Sequence, residues 1–396
     1  MCGVIAEEIL HKVIDGVAVT SDSNYSSSLD PYLVYCKSCK YWFTSQKRPL
    51  HHFYASEYSL LMQNFFTDQT LLVNDRNIQR AEYQASLIYQ VVIALDSHRL
   101  LEVGAGKGLT AHYIMRSINA DSTIALHDPG ADRYSSYWGE YVQPALTFSS
   151  LSSLADSNFD LGFTFFTLEH TESPVDDMDV LMAAMSDESV YIGFVPWLSA
   201  NPGDLLVGDH CSHFTLISLA CLLSRYESRS IKFRLLINNP LRGIVYVCSK
   251  SSIKLAQAIF ALTEGENKQD FILAEDRSDV PDTQLLDIAH HYWQSKTEAH
   301  GDKREVLWGA GFYSKLIMLR HQDRLFSVCI DSNLSLVDTC FYDPGGRSLS
   351  VLFSESWMSS ATVNDRLWLG VSKVARQFIM RKNSEILIKL GVEIAF

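Results

Sequence analysis

The feature that most constrains the fold of this chain is a glycine-rich turn. It lies between a short apolar pattern typical of a strand and a pattern typical of a helix. The segment is Leu100–Thr110, with the sequence LLEVGAGKGLT. Glycine allows the backbone to turn sharply and to approach a ligand closely where a Cβ would clash. A strand, a turn of this kind and a helix in succession are typical of the βα unit of a doubly wound α/β fold.

The spacing within the turn indicates which ligand it suits. The pattern is Glu-x-Gly-x-Gly-x-Gly, whereas dinucleotide-binding turns use Gly-x-Gly-x-x-Gly. The acid within the strand repels a pyrophosphate and attracts an ammonium or sulfonium group. These features predict an amino-acid-bearing nucleoside such as S-adenosylmethionine. The residues of this segment that are expected to hold it are Glu102, Gly104, Ala105, Gly106 and Gly108.

Two later segments supply the remaining polar groups of such a site. Ile124–Asp128 ends the next predicted strand with an acid, and Asp128 is placed to accept hydrogen bonds from ribose hydroxyls. An apolar strand pattern at Phe159–Phe166 then leads into a polar turn. The turn residues expected at the cofactor are Thr167, Glu169 and His170. The alternatives are an ordinary tight turn at the glycines and a second turn that only packs over the adenine side.

The alternation of helical and strand patterns predicts an α/β chain in three parts. Residues 1–72 are expected to be an irregular segment, residues 73–250 a domain with a mostly parallel sheet, and residues 251–396 a second Rossmann-like domain. Within the last part, Val306–Ser314 is another glycine-rich turn, and Asp331 ends the strand that follows. That turn predicts either an NAD site or a Rossmann-like domain without a cofactor.

The segment from residue 75 to residue 250 resembles the class I S-adenosylmethionine-dependent methyltransferases. Leu101–Gly108 matches the first motif of that superfamily, and Asp128 matches its ribose-binding acid. Leu168–His170, followed by Pro174, matches the Leu-Glu-His … Pro turn after its fourth strand. The resemblance implies a Rossmann-like sheet and methyl transfer, and it leaves the substrate open.

A histidine-containing loop supplies the candidate catalytic residues. Gly208–Thr215 follows a predicted strand end and runs into an apolar helix, for which Thr215 is the expected N-cap. Methyl transfer needs an aligned nucleophile that has lost its proton, and imidazole is a natural base near neutral pH. The alternatives are residues that only hydrogen-bond the loop or pack as aromatic groups. The predicted catalytic residues are His210, Asp209 and His213.

Two cysteines on a tight turn predict a zinc-binding segment near the start of the chain. Cys36 and Cys39 lie in the run Val34–Trp42, at a spacing that suits tetrahedral zinc. A closed structural site needs four ligands, so Cys2 is the candidate third and a histidine at position 11, 51 or 52 the candidate fourth. The alternative is a metal-free hairpin with buried cysteines.

The whole arrangement resembles the sugar C-methyltransferase family, whose members methylate nucleotide-linked keto-deoxysugars. Cys36–Cys39 resembles the second of the family's two zinc knuckles. Asp209–Thr215 resembles its Glu-His-x-x-Tyr-Phe-Ser stretch, in which the histidine acts as base. Leu307–Gly311 and Asp343–Gly345 resemble a series in its C-terminal Rossmann-like domain. The resemblance implies structural zinc, a central methyltransferase domain and a base at His210.

This sequence departs from the family pattern at Asp209, His213 and Val207, where the family has Glu, Tyr and Tyr. The attacking atom is therefore open: the base would remove either a proton α to a carbonyl or a hydroxyl proton. The expected function is C-methylation of a small, nucleotide-linked keto sugar. The alternatives are an O-methyltransferase on another metabolite, an NAD-binding oxidoreductase that uses Gly309–Gly311, and a non-catalytic binding protein.

Composition and charge narrow the expected partners. The 396 residues carry 46 acidic and 33 basic side chains, a net charge of −13. This disfavours duplex nucleic acid, which needs a cationic surface. No stretch approaches the roughly 20 apolar residues of a membrane span, and Met1–Glu8 has acids where a secretion signal is basic. We therefore expect a cytoplasmic monomer or homodimer.

The basic residues expected to meet a nucleoside diphosphate are Arg225, Arg229, Lys232, Arg234 and Arg242.

Overall fold

The computed structural model provides the tertiary structure of the chain. The residues that it describes are 7–38, 40–46, 49–58, 64–73, 76–154, 159–237, 240–264, 271–274, 284–285, 287, 303–333, 336–371 and 373–395. The strands are β1 (Glu7–His11), β2 (Ala18–Val19), β3 (Tyr25–Ser26), β4 (Pro31–Cys36), β5 (Tyr41–Gln46), β6 (Thr70–Val73), β7 (Arg76–Gln79), β8 (Arg99–Val103), β9 (Thr123–His127), β10 (Leu146–Phe148), β11 (Leu161–Phe165), β12 (Val190–Pro196), β13 (Ser212–His213), β14 (Lys232–Ile237), β15 (Gly243–Ser249), β16 (Ile272–Leu273), β17 (Arg304–Trp308), β18 (Phe326–Asp331), β19 (Cys340–Tyr342), β20 (Ser348–Phe353), β21 (Asp365–Leu369) and β22 (Glu393–Ala395).

The helices alternate with these strands over most of the described chain. They are α1 (Leu50–Ser56), α2 (Arg80–Leu95), α3 (Leu109–Met115), α4 (Ala131–Tyr137), α5 (Pro174–Ala184), α6 (Leu216–Ser224), α7 (Ser252–Glu264), α8 (Phe312–Arg320), α9 (Ser354–Met358) and α10 (Lys373–Leu390). Within the described ranges, no helix is both long and apolar enough to cross a membrane.

The chain divides into two compact units. The first takes its described residues from 1–10, 32–205 and 210–285, and the second takes them from 11–31, 206–209 and 286–396. Two short segments that lie early and midway in the sequence therefore belong to the same unit as the C-terminal part of the chain.

The central sheet of the first unit has the strand order β10-β9-β8-β11-β12-β15-β14-β16. The five strands from β10 to β12 run parallel, and β15, β14 and β16 each pair antiparallel. Counted from β8, the parallel part has the order 3-2-1-4-5, which is that of a doubly wound fold. Ligands bind such sheets outside the carboxyl ends of the strands where the order reverses, which here is between β8 and β11.

Alternating side chains of these strands build a core on each face of the sheet. On one face, Leu100 of β8 packs in a cluster with residues of α2, α3 and α7. On the other face, Leu101 and Val103 pack with residues of α5 and α6. This placement puts Glu102, between them, on the face that α2 and α3 cover. The helical spacing of apolar residues predicts helices at Gln79–Leu95 and Thr110–Ile118. The first is confirmed as α2, whereas the second ends earlier, at Met115.

The expectation of an irregular segment over residues 1–72 is wrong for the described part. Strands β1, β4, β5 and β13 form a four-stranded sheet, in which Ser212 and His213 of β13 pair with Phe43 and Trp42. The aromatic and β-branched residues of β4 and β5 favour a pleated, half-buried surface, and they bury most of their side chains here.

The second unit contains a six-stranded sheet with the order β19-β20-β18-β17-β21-β22. All of its pairs are parallel except β19 with β20. At its centre, Arg366 is fully buried and donates to Glu305 and Glu393, at 2.7 Å in each case. Trp368 donates its indole N–H to the other carboxylate oxygen of Glu305 at 2.6 Å. A buried ionic network thus ties three strands of this sheet together.

Candidate active site

The glycine-rich turn after β8 has a shape that only glycine permits at two of its positions. Gly104 has a φ of +72°, and a Cβ on it would lie 2.0 Å from Oγ1 of Thr167. Gly108 has a φ of +80° and begins α3, with the ring of Trp138 at 3.1 Å from where a Cβ would stand. The predicted tight turn is therefore present, and it touches the turn that follows β11.

Backbone hydrogen bonds hold this turn in one conformation. The N–H groups of Gly104 and Ala105 both donate to the carbonyl of His127, at 2.8 and 2.9 Å. The N–H of Gly106 donates to Oδ2 of Asp128 at 2.8 Å. The indole N–H of Trp138 donates to the carbonyl of Gly106 at 2.9 Å. The turn is thus organised before any ligand binds.

Asp128, the predicted ribose acid, ends β9 beside the glycine-rich turn. Its second oxygen accepts the N–H of Gly130 at 2.7 Å. Burial raises the pKa of Asp128, and the two backbone donors partly offset this shift. Asp128 as a whole residue is only partly exposed, and its carboxylate lies next to the turn.

Glu102 lies beneath the turn and is nearly inaccessible, with 4% of its surface exposed. Burial raises the pKa of Glu102 to about 8, while the backbone N–H of Ala111 in α3 acts in the opposite direction. Its Oε2 atom has no hydrogen-bond partner among the described residues. An unpaired carboxylate oxygen at this depth is an acceptor for a cationic or N–H-bearing group.

A second cluster centres on Asp204, which lies in a short helical turn at Pro202–Leu206. Its two carboxylate oxygens accept hydrogen bonds from Nδ1 of His210 and from Nδ1 of His213, each at 2.7 Å. Burial alone would raise the pKa of Asp204, but the two imidazoles outweigh burial and hold that pKa below its usual range. Asp204 is therefore an anion that orients two histidine rings.

His213, one of the predicted catalytic residues, has both ring nitrogens engaged inside the protein. Nδ1 bonds Asp204, and Nε2 lies 3.0 Å from Oγ1 of Thr44. The ring is fully buried in β13. This geometry suits a residue that holds Asp204 in place better than one that exchanges a proton with a substrate.

Asp209, the other predicted partner in catalysis, makes its hydrogen bonds within the second unit. Its carboxylate accepts the N–H and the hydroxyl of Ser21, both at 2.7 Å. The acid that bonds the His210 ring is Asp204, which the sequence argument missed. Its only signal in the sequence is a position six residues before His210 in a Gly/Pro-containing loop.

The turn after β11 brings Glu169 and His170 to the His210 ring. The rings of His170 and His210 are perpendicular, with centroids 4.6 Å apart. Nδ1 of His170 lies 2.7 Å from the hydroxyl of Tyr54, a residue that no sequence pattern singled out. The backbone carbonyl of Glu169 accepts the N–H of Cys211 at 2.6 Å. Since Thr167 in the same turn touches Gly104, one short segment contacts both the glycine-rich turn and the histidines.

The side chain of Glu169 differs from the other side chains of this cluster in its hydrogen bonding. Its side chain is 1% exposed, and neither carboxylate oxygen has a hydrogen-bond partner among the described residues. Burial raises the pKa of Glu169 to about 7, and the charges of His170 and His210 act in the opposite direction. A buried carboxyl without a partner lies beside two imidazoles.

The remaining predicted sites lie elsewhere. Cys36 is a buried cysteine at the end of β4, whereas Cys2 and Cys39 lie outside the described residues. In the second unit, Gly309 has a φ of +104° and a Cβ on it would stand 2.7 Å from the carbonyl of Gly370. Asp331 accepts the N–H of Ala310 at 2.7 Å. The second glycine-rich turn is thus packed closely against its own sheet.

Comparisons with known proteins add a partial structural likeness. No protein-family model matches the sequence, and no curated protein does. The plantazolicin methyltransferase BamL, solved with a triazolic desmethylPZN analog and SAH, is 16% identical, with a TM-score of 0.38 over 48% of this chain and 76% of its own. The mitomycin 7-O-methyltransferase MmcR is 13% identical, with a TM-score of 0.36 over 43% of this chain and 54% of its own. The carbon methyltransferase CurJ is 14% identical, with a TM-score of 0.35 over 42% of this chain and 54% of its own. Each of these three likenesses is distant and covers under half of this chain.

Proposed function

We propose that the first unit is an S-adenosylmethionine-dependent methyltransferase that acts on a small molecule. The observation that carries the proposal is the contact of one turn, Thr167–His170, with both the glycine-rich turn and the His210 ring. A preorganised nucleoside-type turn and an acid–base cluster therefore meet at the switch point of a doubly wound sheet, where such folds bind ligands.

The residues proposed to hold the cofactor surround the glycine-rich turn. The unpaired Oε2 of Glu102 and the carboxylate of Asp128 suit the ammonium and the ribose of the cofactor. When bound, S-adenosylmethionine supplies a methyl group already activated by the sulfonium. The turn carries glycine at positions 104, 106 and 108, so its backbone bears no side chain of its own at these three positions.

His210 is proposed as the base that removes the proton of the acceptor. Nδ1–H donates to Asp204, which fixes the tautomer with a lone pair on Nε2 and stabilises the imidazolium that forms on proton uptake. His213 and Thr44 hold Asp204 from the other side. The protein thus orients the base through a buried carboxylate and needs no further activation of the donor.

A nucleotide-linked keto sugar is the proposed acceptor, and C-methylation the proposed reaction. Support comes from the resemblance in the sequence. Lys232 and Arg234 line a groove of about 840 Å³ along α6 and β14, but none of the site residues described above lines that groove. Arg229, by contrast, pairs with Asp179 at 3.2 Å. Because basic groups are few, an uncharged small metabolite that is methylated on oxygen is the second acceptor class to test.

Calorimetry with the full-length protein tests the cofactor. S-Adenosylmethionine should bind, Gly106→Arg should abolish that binding, and the exposed Gly139→Ala, a site with nothing within 4 Å of the added Cβ, should retain it. Absence of binding, or unchanged binding in Gly106→Arg, contradicts the proposal. Binding of NAD in its place would favour an oxidoreductase.

Turnover with a panel of acceptors tests the base. His210→Ala should keep the affinity for S-adenosylmethionine and lose methyl transfer from a radiolabelled donor by roughly 100-fold or more. Methyl transfer that is retained in His210→Ala removes His210 as the base. Location of the label on carbon or oxygen by NMR then identifies the attacking atom.

A further inference from the structure

Glu169, His170 and His210 bring three metal-binding side chains to one point in the first unit. One ligand atom from each lies within 4.8 Å of those of the other two. All three belong to elements of the same unit, since the first two follow β11 and the third precedes β13. Two imidazoles and one carboxylate form a set that divalent transition-metal ions bind in proteins.

The buried carboxylate of Glu169 provides an independent indication that this cluster can bind a cation. Both of its oxygens are buried and lack a hydrogen-bond partner among the described residues. Burying a carboxyl group without a partner is unfavourable, because the group loses its hydrogen bonds to water and gains none in the protein. A cation bound to the carboxylate and the neighbouring imidazoles supplies the missing interaction.

The contacts around the two histidines match those around metal-bound imidazoles. Nδ1 of His210 donates to the buried carboxylate of Asp204 at 2.7 Å, and Nδ1 of His170 lies 2.7 Å from the hydroxyl of Tyr54. When Nδ1 carries the proton in each ring, Nε2 carries the lone pair that a metal needs. The carboxylate of Asp204 only accepts, so it fixes the tautomer and the ring orientation of His210, whereas the Tyr54 hydroxyl can donate or accept and fixes only the ring orientation of His170.

A second group of potential ligands nearby does not have this character. Asp204, His210 and His213 also lie within 4.8 Å of one another. Their ligand atoms, however, are already joined by two N–H···O hydrogen bonds of 2.7 Å. Because protons occupy the space between these atoms, Asp204 acts as the outer partner of the site and not as a ligand.

We propose that Glu169, His170 and His210 bind one divalent transition-metal ion of the Zn²⁺ class. Three protein ligands leave at least one position of a tetrahedral ion for water or an oxygen of the acceptor. This inference rests on the proposed function only for the use of that open position. An ion bound to Nε2 of His210 would withhold that lone pair from an acceptor proton, so the base role proposed for His210 applies to the metal-free site, and the metal-loaded site would act as a Lewis acid.

Cobalt substitution tests the site directly, without an acceptor. Full-length protein is stripped with a chelator, dialysed and titrated with Co²⁺, followed by visible absorption and by elemental analysis of the washed protein. One equivalent per chain should bind, with the visible bands of a nitrogen–oxygen site and without the intense near-ultraviolet band of cobalt–thiolate bonding. The titration is repeated in Cys36→Ser, which removes the described cysteine of the predicted zinc-binding segment.

Matched variants decide whether these three residues hold the ion. Glu169→Gln and His170→Ala should each weaken Co²⁺ binding at least 100-fold, and Tyr54→Phe, which removes only the outer partner of His170, roughly 10-fold. His98→Ala, at a half-exposed histidine that pairs with Asp96, should bind as the wild type does. Circular dichroism verifies folding in each case.

Two outcomes would overturn the proposal. One is a protein that binds no Co²⁺ or Zn²⁺ in the Cys36→Ser background. The other is binding that Glu169→Gln and His170→Ala leave unchanged. Titration of the same samples with S-adenosylmethionine keeps the proposed function separate. Cofactor binding without metal binding defeats only the metal site, and metal binding without cofactor binding defeats only the methyltransferase assignment.

Discussion

Asp204 accepts a hydrogen bond of 2.7 Å from Nδ1 of His210, and this pair decides which ring nitrogen can face a ligand. The carboxylate is 2% exposed and is also bonded by His213. Neither residue lies in a regular helix or long strand, and the two are six positions apart in the chain. The orientation of the ring therefore depends on a buried anion whose own position is held by a third residue.

Removing the charge of Asp204 should disable the ring without unfolding the protein. Asp204→Asn keeps the size of the side chain but presents an amide donor to one of the two imidazoles, which favours the wrong tautomer. We expect a loss of turnover of roughly 100- to 10,000-fold, with unchanged affinity for S-adenosylmethionine. In ¹H–¹⁵N spectra of the histidine rings, the protected Nδ1–H signal of His210 should disappear.

Thr44→Val serves as the matched control for that experiment. It removes the hydrogen bond to Nε2 of His213 and leaves both bonds to Asp204 in place. The His210 signal should persist and turnover should fall by much less than in Asp204→Asn. Equal losses in the two variants would contradict the central role of Asp204.

A side chain at Gly104 should destroy the glycine-rich turn. In Gly104→Ala, the added Cβ would overlap Oγ1 of Thr167, and the residue would keep a positive φ that alanine adopts at a cost. We expect a loss of about 1–3 kcal/mol in unfolding free energy and a loss of cofactor binding. Urea titration and calorimetry measure the two effects.

Gly16→Ala is the control that separates the clash with Thr167 from the cost of placing alanine at a positive φ. Gly16 also has a positive φ, of +81°, but no atom lies within 4 Å of its Cβ position. Gly16→Ala should lower stability by about 1 kcal/mol and leave cofactor binding intact. If Gly104→Ala were no worse than Gly16→Ala, the contact with Thr167 would not matter.

Glu102 should make the protein less stable as pH rises. Burial raises the pKa of this carboxyl from 4.5 to about 8 in the folded state. Between those values the folded state retains a proton that the unfolded state has lost, so the unfolding free energy decreases with increasing pH. Glu102→Gln removes this titration, and urea unfolding from pH 5 to pH 8.5 should show a flatter profile.

The difference between wild type and Glu102→Gln should be largest at the alkaline end of that range, where the variant should be the more stable protein. An identical pH dependence in both proteins would show that Glu102 titrates normally. Above pH 8, where Glu102 is ionised, the variant should also bind S-adenosylmethionine less tightly, because glutamine cannot attract an ammonium group as a carboxylate does.

The ionic network in the second unit should be sensitive to the loss of its cation. Arg366→Ala leaves the carboxylates of Glu305 and Glu393 without their buried partner. Breaking a buried pair in this way costs about 3–5 kcal/mol. Lys303→Ala removes a more exposed cation that also pairs with Glu393, and its effect should stay within about 1 kcal/mol. Thermal unfolding measures the loss of stability in the two variants. Similar losses would contradict the conclusion that burial makes the pairs of Arg366 the stronger ones.

Local sequence signals determined the elements that need only neighbouring residues. The helical spacing of apolar residues predicted α2, and the glycine pattern predicted the turn between β8 and α3, because a positive φ at Gly104 and Gly108 excludes most other residues. Thr215 was predicted as an N-cap, and it forms a capping box with Ser218. Each of these features depends on interactions within a few positions of the chain.

Only the tertiary structure decided which groups meet in the candidate site. Tyr54 contacts His170, although more than a hundred positions separate them in the chain. The ring of His210 bonds Asp204 and not Asp209, the adjacent residue that the motif predicted. Such contacts depend on how strands pair and loops fold back, and no local periodicity encodes them. The lone pairs of the histidines and the unpartnered carboxylate of Glu169 follow from that packing, because burial sets the environment of a side chain whereas sequence sets only its identity.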